Sequence, residues 1–244
     1  MTTPARPLTG RTVATTRDRP GRLDELLAQR GAGVVHVPLI EIADPPELPA
    51  ELSRLDEVDW VVVTSQHGAA RVAAAVSSHP LVRTAAVGTR TAEVLEAVTG
   101  RRVTVVPDRQ TAADLVDAMP DPDPDTCRVL VAQADRAEPT LVDGLRARGY
   151  DVRPVVAYVT RLRVPPEAER AALSTVDAVA FASGSAARAW AEAIGTWTPP
   201  QVVTIGPSTT RVARELGLQV TVEAADHSVE GLANAVMDAL RSRP

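Results

Sequence analysis

Lysine is absent from the 244 residues of the chain, so all its basic side chains except histidine are arginine. Without lysine, the chain cannot form a Schiff base with a carbonyl substrate or supply the lysine of a phosphate-binding P-loop. Aromatic residues are also scarce, with three Trp, two Tyr and one Phe. Because the net charge is −5 and few rings are available for base stacking, we expect no nucleic-acid partner.

Cysteine and histidine are too few to indicate a metal site. The single cysteine, Cys127, excludes an intramolecular disulfide and a multi-cysteine zinc site, and its place at the front of an apolar run is typical of a small buried residue. No two of the four histidines have ligand spacing; they are His36, His67, His79 and His227. We therefore predict no bound metal.

The sequence also has no apolar run that approaches the length of a membrane span, and its first ten residues lack the apolar core of a signal peptide. We expect a cytoplasmic protein with no membrane partner. The apolar share of 45% is ordinary for a globular chain, and the length suits two small domains.

Short valine-rich runs alternate with amphipathic segments rich in alanine and leucine, which is typical of βαβ units around parallel sheets. One helix is predicted from Pro20 to Gly31 and another over 140–148, and the capping-box spacing at Thr111 predicts a third. Ten strands are predicted, enough for two five-stranded sheets: near Thr12–Thr16, Val34–Val37, Asp59–Thr64, Thr84–Val87, Arg102–Val106, Arg128–Ala132, Asp151–Thr160, Asp177–Ala182, Val202–Ile205 and Gln219–Val222.

An internal repeat divides the sequence into two similar halves. Five residues recur at a displacement of 118 positions: Leu23, Gly31, Ser65, Gly88 and Thr91 return as Leu141, Gly149, Ser183, Gly206 and Thr209. A duplicated α/β unit predicts two equal lobes with a ligand cleft between them. From the repeat alone, the boundary would lie near residue 120.

The first repeated motif is a strand end followed by the start of a helix. It reads Thr64-Ser65 in the first copy and Ala182-Ser183-Gly184 in the second. A helix N-terminus at the carboxyl end of a parallel strand offers free N–H groups and a hydroxyl to an anion such as a carboxylate. The alternative is that Ser65 and Ser183 only cap their helices.

The second repeated motif follows the next strand in each copy. It contains Gly88 and Thr91 in the first copy, and Gly206, Pro207 and Thr209 in the second. Glycine lets a ligand approach the backbone closely, and the threonine falls in the first helical turn, so both copies suit an anion. A single Gly-x-x-Thr would be a weak signal, whereas the matched pair is more specific.

Arg17 follows the first strand within Thr15-Thr16-Arg17. Its guanidinium group can hold a carboxylate through two parallel hydrogen bonds, although a solvated loop arginine is an equal alternative. Arg90, Arg136 and Arg211 are reserve candidates that are more typical of solvated helix charges.

Several modest motifs, in this order, resemble those of the uroporphyrinogen-III synthase family. The resemblance covers nearly the whole chain, and no single motif would suffice. The motifs are Thr-Arg at 16–17, Val-Thr-Ser at 63–65, Val-Gly-x-x-Thr-Ala at 87–92, Ala-Asp-Arg-Ala-x-x-Thr-Leu at 134–141, Val-Ala-Tyr at 156–158 and Ile-Gly-Pro at 205–207.

The resemblance implies an α/β fold with two flavodoxin-like parallel-sheet domains joined by a two-stranded antiparallel connector. The first domain would be discontinuous, with residues 1–39 and 161–244, and the second would span 44–156. The connecting strands would be Pro38–Ile42 and Val155–Thr160. A monomer is expected.

The resemblance also implies a cofactor-free lyase that cyclises hydroxymethylbilane, a linear tetrapyrrole with eight carboxylates, to uroporphyrinogen III. Such an enzyme works mainly by holding the substrate in the geometry that inverts its last pyrrole. Tyr158 would take the place of the acid that assists departure of the hydroxyl, with a structural tyrosine as the alternative. The chain departs from the family pattern at three places: Asp18-Arg19-Pro20, Ala182 and Gln133. At position 133 a basic residue is common in the family.

Two other functions compete with this enzyme. A non-catalytic two-lobed sensor or regulator that binds an anionic small molecule would use the same cleft, and it stays open as the alternative. A dinucleotide-binding dehydrogenase is disfavoured, because no Gly-x-Gly-x-x-Gly follows the first strand.

Overall fold

The computed structural model describes residues 6–241, which divide into two compact units. The first unit extends to Glu41 and resumes at Arg161, and the second is Ile42–Thr160. Residues 1 and 244, which end the predicted first domain, lie outside the described residues.

The described chain has ten strands and ten α-helices, which alternate except that β3 follows β2 and α5 follows α4. The strands are β1 (Thr12–Thr15), β2 (Gly33–His36), β3 (Ile40–Ala43), β4 (Trp60–Val63), β5 (Arg83–Ala86), β6 (Arg128–Ala134), β7 (Asp151–Leu162), β8 (Ala178–Phe181), β9 (Gln201–Thr204) and β10 (Val222–Glu223). The helices are α1 (Arg22–Gln29), α2 (Leu48–Leu52), α3 (Gln66–Ser77), α4 (Thr89–Thr99), α5 (Ala112–Ala118), α6 (Thr140–Ala147), α7 (Glu167–Leu173), α8 (Gly184–Ala193), α9 (Pro207–Glu215) and α10 (Val229–Arg241).

The sheet of the first unit has the strand order β2-β1-β8-β9-β10, and all its pairs are parallel. Both faces of the sheet are covered, as the uninterrupted apolar strands require. Val13 and Leu27 pack with α10 on one face, while Phe181 and Trp190 pack with α9 on the other. The carboxyl ends of the parallel strands therefore meet at one edge.

The sheet of the second unit has the order β3-β7-β6-β4-β5. The pairs β7–β6, β6–β4 and β4–β5 are parallel. The run predicted as a strand near Arg102–Val106 is not one, because only Val105 bridges to Ala85. Pro107 follows at once and has no N–H with which to continue a ladder. The predicted number of strands is unchanged, but one prediction is wrong: β3, expected as a connector, supplies the fifth strand of this sheet in place of the run near Arg102–Val106.

Local signals in the sequence placed several helix ends well. Gly31 and Gly149 follow α1 and α6 with φ of 94° and 98°, a left-handed conformation that favours glycine. Thr111 caps α5, since its Oγ1 accepts a hydrogen bond from Asp114 N at 3.1 Å. The first helix begins at Arg22 and not at Pro20, because Gly21 is its N-cap.

The displacement of 118 positions also relates the elements of the structure. β4 maps onto β8, β5 onto β9 and α1 onto α6 with identical bounds. The chain passes between the units after Glu41 and after Thr160, which are near-equivalent points of the two copies. Each unit therefore combines part of one copy with part of the other, and the contiguous boundary near residue 120 is wrong.

Candidate functional site

In the second unit, β4 ends at Val63, the half-buried Thr64 follows, and Ser65 is the N-cap of α3. The Ser65 Oγ accepts a hydrogen bond from Gly68 N at 3.1 Å, so its hydroxyl caps the helix. Gly68 lies against β6, where an added Cβ would be 3.4 Å from Ala132 O. The capping alternative for Ser65 thus describes its contacts in the free protein.

The matching turn of the first unit follows β8. Ser183 is exposed and caps α8 through a hydrogen bond from Ala186 N at 3.2 Å. Gly184 is packed against α9, because an added Cβ would lie 3.1 Å from a methyl group of Val212. The two serine turns therefore have the same geometry, and Ser183 presents its side chain more openly.

Both glycine turns begin helices that have no side-chain cap. Gly88 precedes α4 and Gly206 precedes α9, and each glycine is buried in extended backbone. Their Cα atoms are closely covered, because an added Cβ at Gly88 would collide with the Gln110 side chain and one at Gly206 would lie 2.9 Å from the His227 ring. Close approach, and not a special φ, is what requires glycine here.

The predicted threonines lie in the first turns of these helices. Thr91 is 7% exposed and Thr209 is 2% exposed, so their side chains are buried in the free protein. Pro207, at the first position of α9, has no N–H to offer. The backbone N–H groups around Gly88 are therefore more numerous than those around Gly206.

A pocket of about 370 Å³ brings together three of the predicted residues in the second unit: Thr64, Gly88 and Thr91. Gln66, Thr89, Arg90 and Gln110 also line this pocket. Backbone N–H groups, hydroxyls and one guanidinium group favour an anionic ligand.

Arg17 is exposed in the loop between β1 and α1, and its Nη1 lies 3.8 Å from the position of an added Cβ at Gly21. Asp24 holds this loop. Its Oδ2 accepts a hydrogen bond from Gly21 N at 2.8 Å, and its Oδ1 accepts one from Thr15 Oγ1 at 2.5 Å. His36 completes the cluster, with Nδ1 3.1 Å from Thr15 Oγ1. Sequence reasoning missed Asp24, although an acidic residue three positions after the N-cap is a capping signal.

Tyr158 lies in β7 and is 9% exposed. Two residues of α3 contact its ring: the His67 ring centroid is 5.4 Å away, and the Arg71 guanidinium carbon is 5.8 Å from the ring centre. Asp135 fixes the strand at Tyr158 and just after it, because its N donates to Tyr158 O at 3.1 Å and its Oδ1 accepts from Thr160 N at 3.2 Å.

Sequence reasoning did not select His67, Arg71 or Asp135. His67 and Arg71 are four positions apart on α3. This spacing places two side chains on one face of a helix, and it is the only sequence signal that marks them as a pair. Their partner on β7 is far away in the sequence, so no local pattern predicts the contact.

The clearest charge effects lie away from these residues. The hydrogen-bonded Arg128 lowers the pKa of Asp59, and Arg163 lowers that of Glu169. Within residues 6–241, no group of three or more His, Cys, Asp or Glu side chains is placed to hold a metal ion, and no helix is long and apolar enough to cross a membrane.

Residues 21–234 match a protein family described as "Uroporphyrinogen-III synthase HemD". The chain is 28% identical to the chloroplastic uroporphyrinogen-III synthase of Oryza sativa subsp. japonica, with 94% of this chain and 81% of that protein covered. It is 27% identical to the uroporphyrinogen-III synthase of Synechococcus elongatus, with 94% and 96% covered.

Two solved structures have a similar α/β fold. The uroporphyrinogen-III synthetase of Helicobacter pylori 26695 has a TM-score of 0.66 at 16% identity, with 94% of this chain and 99% of that chain covered. A mutant uroporphyrinogen III synthase of Thermus thermophilus has a TM-score of 0.55 at 20% identity, with 96% and 99% covered. At these identities the likeness concerns the fold alone.

Proposed function

Because the chain belongs to the uroporphyrinogen-III synthase family, we propose that it cyclises hydroxymethylbilane to uroporphyrinogen III with inversion of ring D and loss of water, a lyase step of haem biosynthesis. The observation that carries the proposal is the family match over residues 21–234, a range that contains Tyr158 and every predicted binding residue except Arg17. The N–H-rich turns at the carboxyl ends of the parallel strands support it, because they suit a substrate with many carboxylates.

The reaction needs more positioning than group chemistry. Loss of the hydroxyl as water leaves an azafulvene cation, which the substituted carbon of the last pyrrole attacks to give a spiro intermediate. This intermediate fragments and recloses with ring D reversed. Without an enzyme the unreversed isomer forms. The protein therefore has to hold the linear tetrapyrrole in the geometry that leads to the spiro intermediate. No cofactor or metal is needed for this sequence of steps.

In the second unit, we assign carboxylate binding to the pocket that contains Thr64, Gly88 and Thr91, with Ser65 beside it. In the first unit, the corresponding turns assign the same role to Ser183, Gly184, Gly206 and Thr209, together with the exposed Arg17. Pro207 has no N–H, so it would contact the substrate through its ring. The buried threonines contribute mainly through the backbone of their helical turns, since their side chains have little access.

Tyr158 is the proposed acid for departure of the hydroxyl. A neutral phenol can donate a proton, and the guanidinium group of Arg71 lies over its ring. The anchoring of β7 by Asp135 supports this role, because it fixes the backbone of Tyr158.

For the domains, we propose two flavodoxin-like folds, with residues 1–39 and 161–244 in the first and 44–156 in the second. An antiparallel pair of connecting strands would join them. The order β2-β1-β8-β9-β10 supports the proposal, because it is the 2-1-3-4-5 order of that fold. We also propose that the protein is a cytoplasmic monomer that does not bind nucleic acid.

An isomer-resolved assay tests the function. Purified protein given freshly made hydroxymethylbilane, with no metal or nucleotide added, is expected to yield mainly the type III isomer. A product that is only type I, as in a parallel sample without protein, would overturn the enzyme and leave the anion-binding sensor.

A further inference from the structure

Gln133 lies near the carboxyl end of β6 and takes no part in the site described above. Its Oε1 is buried and has no hydrogen-bond partner among the described residues. An acceptor in this state destabilises the folded protein, because it has lost its hydrogen bonds to water and gained none in return. A ligand that supplies a donor removes this cost.

The equivalent residue in the other copy is fully partnered. Thr15 lies 118 positions earlier, also near the end of a strand, and its Oγ1 contacts Asp24 at 2.5 Å and His36 at 3.1 Å. In the copy that contains Gln133, the position matching Asp24 is Val142, and the strand neighbour in register is Val156. Neither side chain can hydrogen bond, which explains why Gln133 has no partner there.

The register of the sheet places Gln133 beside the proposed site. Val63 of β4 is opposite Ala132 of β6, so the next residues along these strands, Thr64 and Gln133, are neighbours on one face of the sheet. The ladder between β6 and β7 then shifts, and the residue after Gln133 pairs with Tyr158. Alternation along β6 puts Gln133 on the face of the sheet that carries Val131, whereas Tyr158 packs with Ala132 on the opposite face. Gln133 therefore lies beside the pocket residue Thr64.

The chemistry of the proposed substrate identifies the partner. Its carboxylates are ionised at neutral pH and offer no donor, whereas each of its four pyrroles carries an N–H group. We propose that Gln133 is a substrate-positioning residue whose Oε1 accepts a hydrogen bond from a pyrrole N–H of hydroxymethylbilane. This inference rests on the proposed function.

Gln133→Met tests the inference, because methionine has a similar length and no strong acceptor. If the amide serves the substrate, the variant raises KM about three- to tenfold, the effect of one lost hydrogen bond. The melting temperature of the free protein should stay the same or rise by up to about 4 °C, since an unpartnered buried polar group has been removed. A structural glutamine would show the opposite pattern, with a lower melting temperature and an unchanged KM, and this result overturns the inference.

Gln133→Arg separates the two possible substrate groups. Arginine is only a donor, so it cannot accept a pyrrole N–H, and KM should rise as it does for methionine. An equal or lower KM would show that the side chain donates to a carboxylate, and the assigned acceptor role would be wrong. Gln201→Met, at the amino end of β9, is the matched control and should leave KM unchanged.

The parent enzyme is assayed beside these variants. If it makes no type III isomer, the proposed function fails, and the variants are then compared only by stability. If the parent makes the type III isomer, an unchanged KM in the Gln133 variants counts against the role of Gln133 alone.

Discussion

The starts of α3 and α8 are the same element in the two copies, and they differ in the chemistry they carry. Both begin with a serine cap, Ser65 or Ser183. After Ser65 come His67 and Arg71, which contact the ring of Tyr158. At a displacement of 118 positions the corresponding residues are Ser185, Ala189 and Ile40.

The two copies share the turns that are proposed to bind carboxylates, but only one copy carries the proposed acid. The serine and glycine turns recur in both copies because each copy folds into the same strand–turn–helix units. Within residues 6–241, the imidazole, guanidinium and phenol groups occur together only in the second unit. We expect carboxylate binding to use both units and acid chemistry to depend on the second.

The largest expected effect is on turnover in Tyr158→Phe. Removal of the proposed acid should lower kcat about 100-fold with little change in KM, since general acids contribute about 100-fold or more. Steady-state kinetics with isomer analysis measures both constants. Tyr150→Phe is the matched control, because the Tyr150 hydroxyl donates to Pro120 O and serves only structure. It should keep kcat and cost about 1 kcal/mol of stability. Equal kcat values for Tyr158→Phe and the parent would return Tyr158 to a structural role.

Asp24→Ala should cause the largest loss of stability. The substitution leaves Thr15 Oγ1 and Gly21 N without their acceptor, which should lower the free energy of unfolding by about 2–3 kcal/mol. Urea denaturation measures the change. Asp143→Ala, in the first turn of the matching helix α6, is exposed and should stay within about 0.5 kcal/mol of the parent. Similar losses of stability in the two variants would contradict the claim that Asp24 holds the loop before α1, whereas Asp143 does not hold the matching loop before α6.

The glycine turns should differ in their tolerance of alanine. A Cβ at position 206 meets the stiff His227 ring at 2.9 Å, so Gly206→Ala should cost about 1–2 kcal/mol. A Cβ at position 88 meets the end of the flexible Gln110 side chain, which can swing aside at a cost of about 0.5 kcal/mol. Thermal unfolding of both variants tests the order. A larger loss for Gly88→Ala would mean that Gln110 is held in place.

The smallest effect concerns acid pH. Arg128 donates to Asp59 and lowers its folded-state pKa below the ordinary 3.8. The stabilisation is therefore complete above the unfolded-state pKa and is lost as pH falls through the folded-state value. Asp59→Asn should flatten the acid side of the stability curve in the second unit, while Glu169→Gln tests the lowered pKa beside Arg163 in the first. If the stability of Asp59→Asn falls with acid pH as steeply as that of the parent, the Asp59–Arg128 pair does not contribute to the pH dependence.

Much of the fold was predictable because its signals are local. Apolar runs located nine of the ten predicted strands, and Thr111, Gly31 and Gly149 located helix ends. The run near Arg102–Val106 has the composition of a strand but becomes a single bridge, because its pairing depends on a neighbouring strand and on Pro107. Composition alone does not contain that information.

The candidate site was predictable only where it repeats or carries a motif. Matched motifs selected the serine and glycine turns, and the family resemblance selected Tyr158. His67 and Asp24 carry no repeated motif, and each matters through a contact with a residue on another element. Gln133 departs from the family pattern, but its lack of a hydrogen-bond partner is visible only in the structure, where Val142 and Val156 are its neighbours.

By itself, the sequence determined the alternation of strands and helices, the repeat and the positions of the serine and glycine turns. These depend on apolar periodicity, glycine and capping residues that act within a few positions. Only the tertiary structure decided which part of each copy joins which unit, and which polar groups find partners. Both depend on long-range packing. A strand is stabilised by the strand with which it pairs, even when that strand comes from the other copy of the repeat.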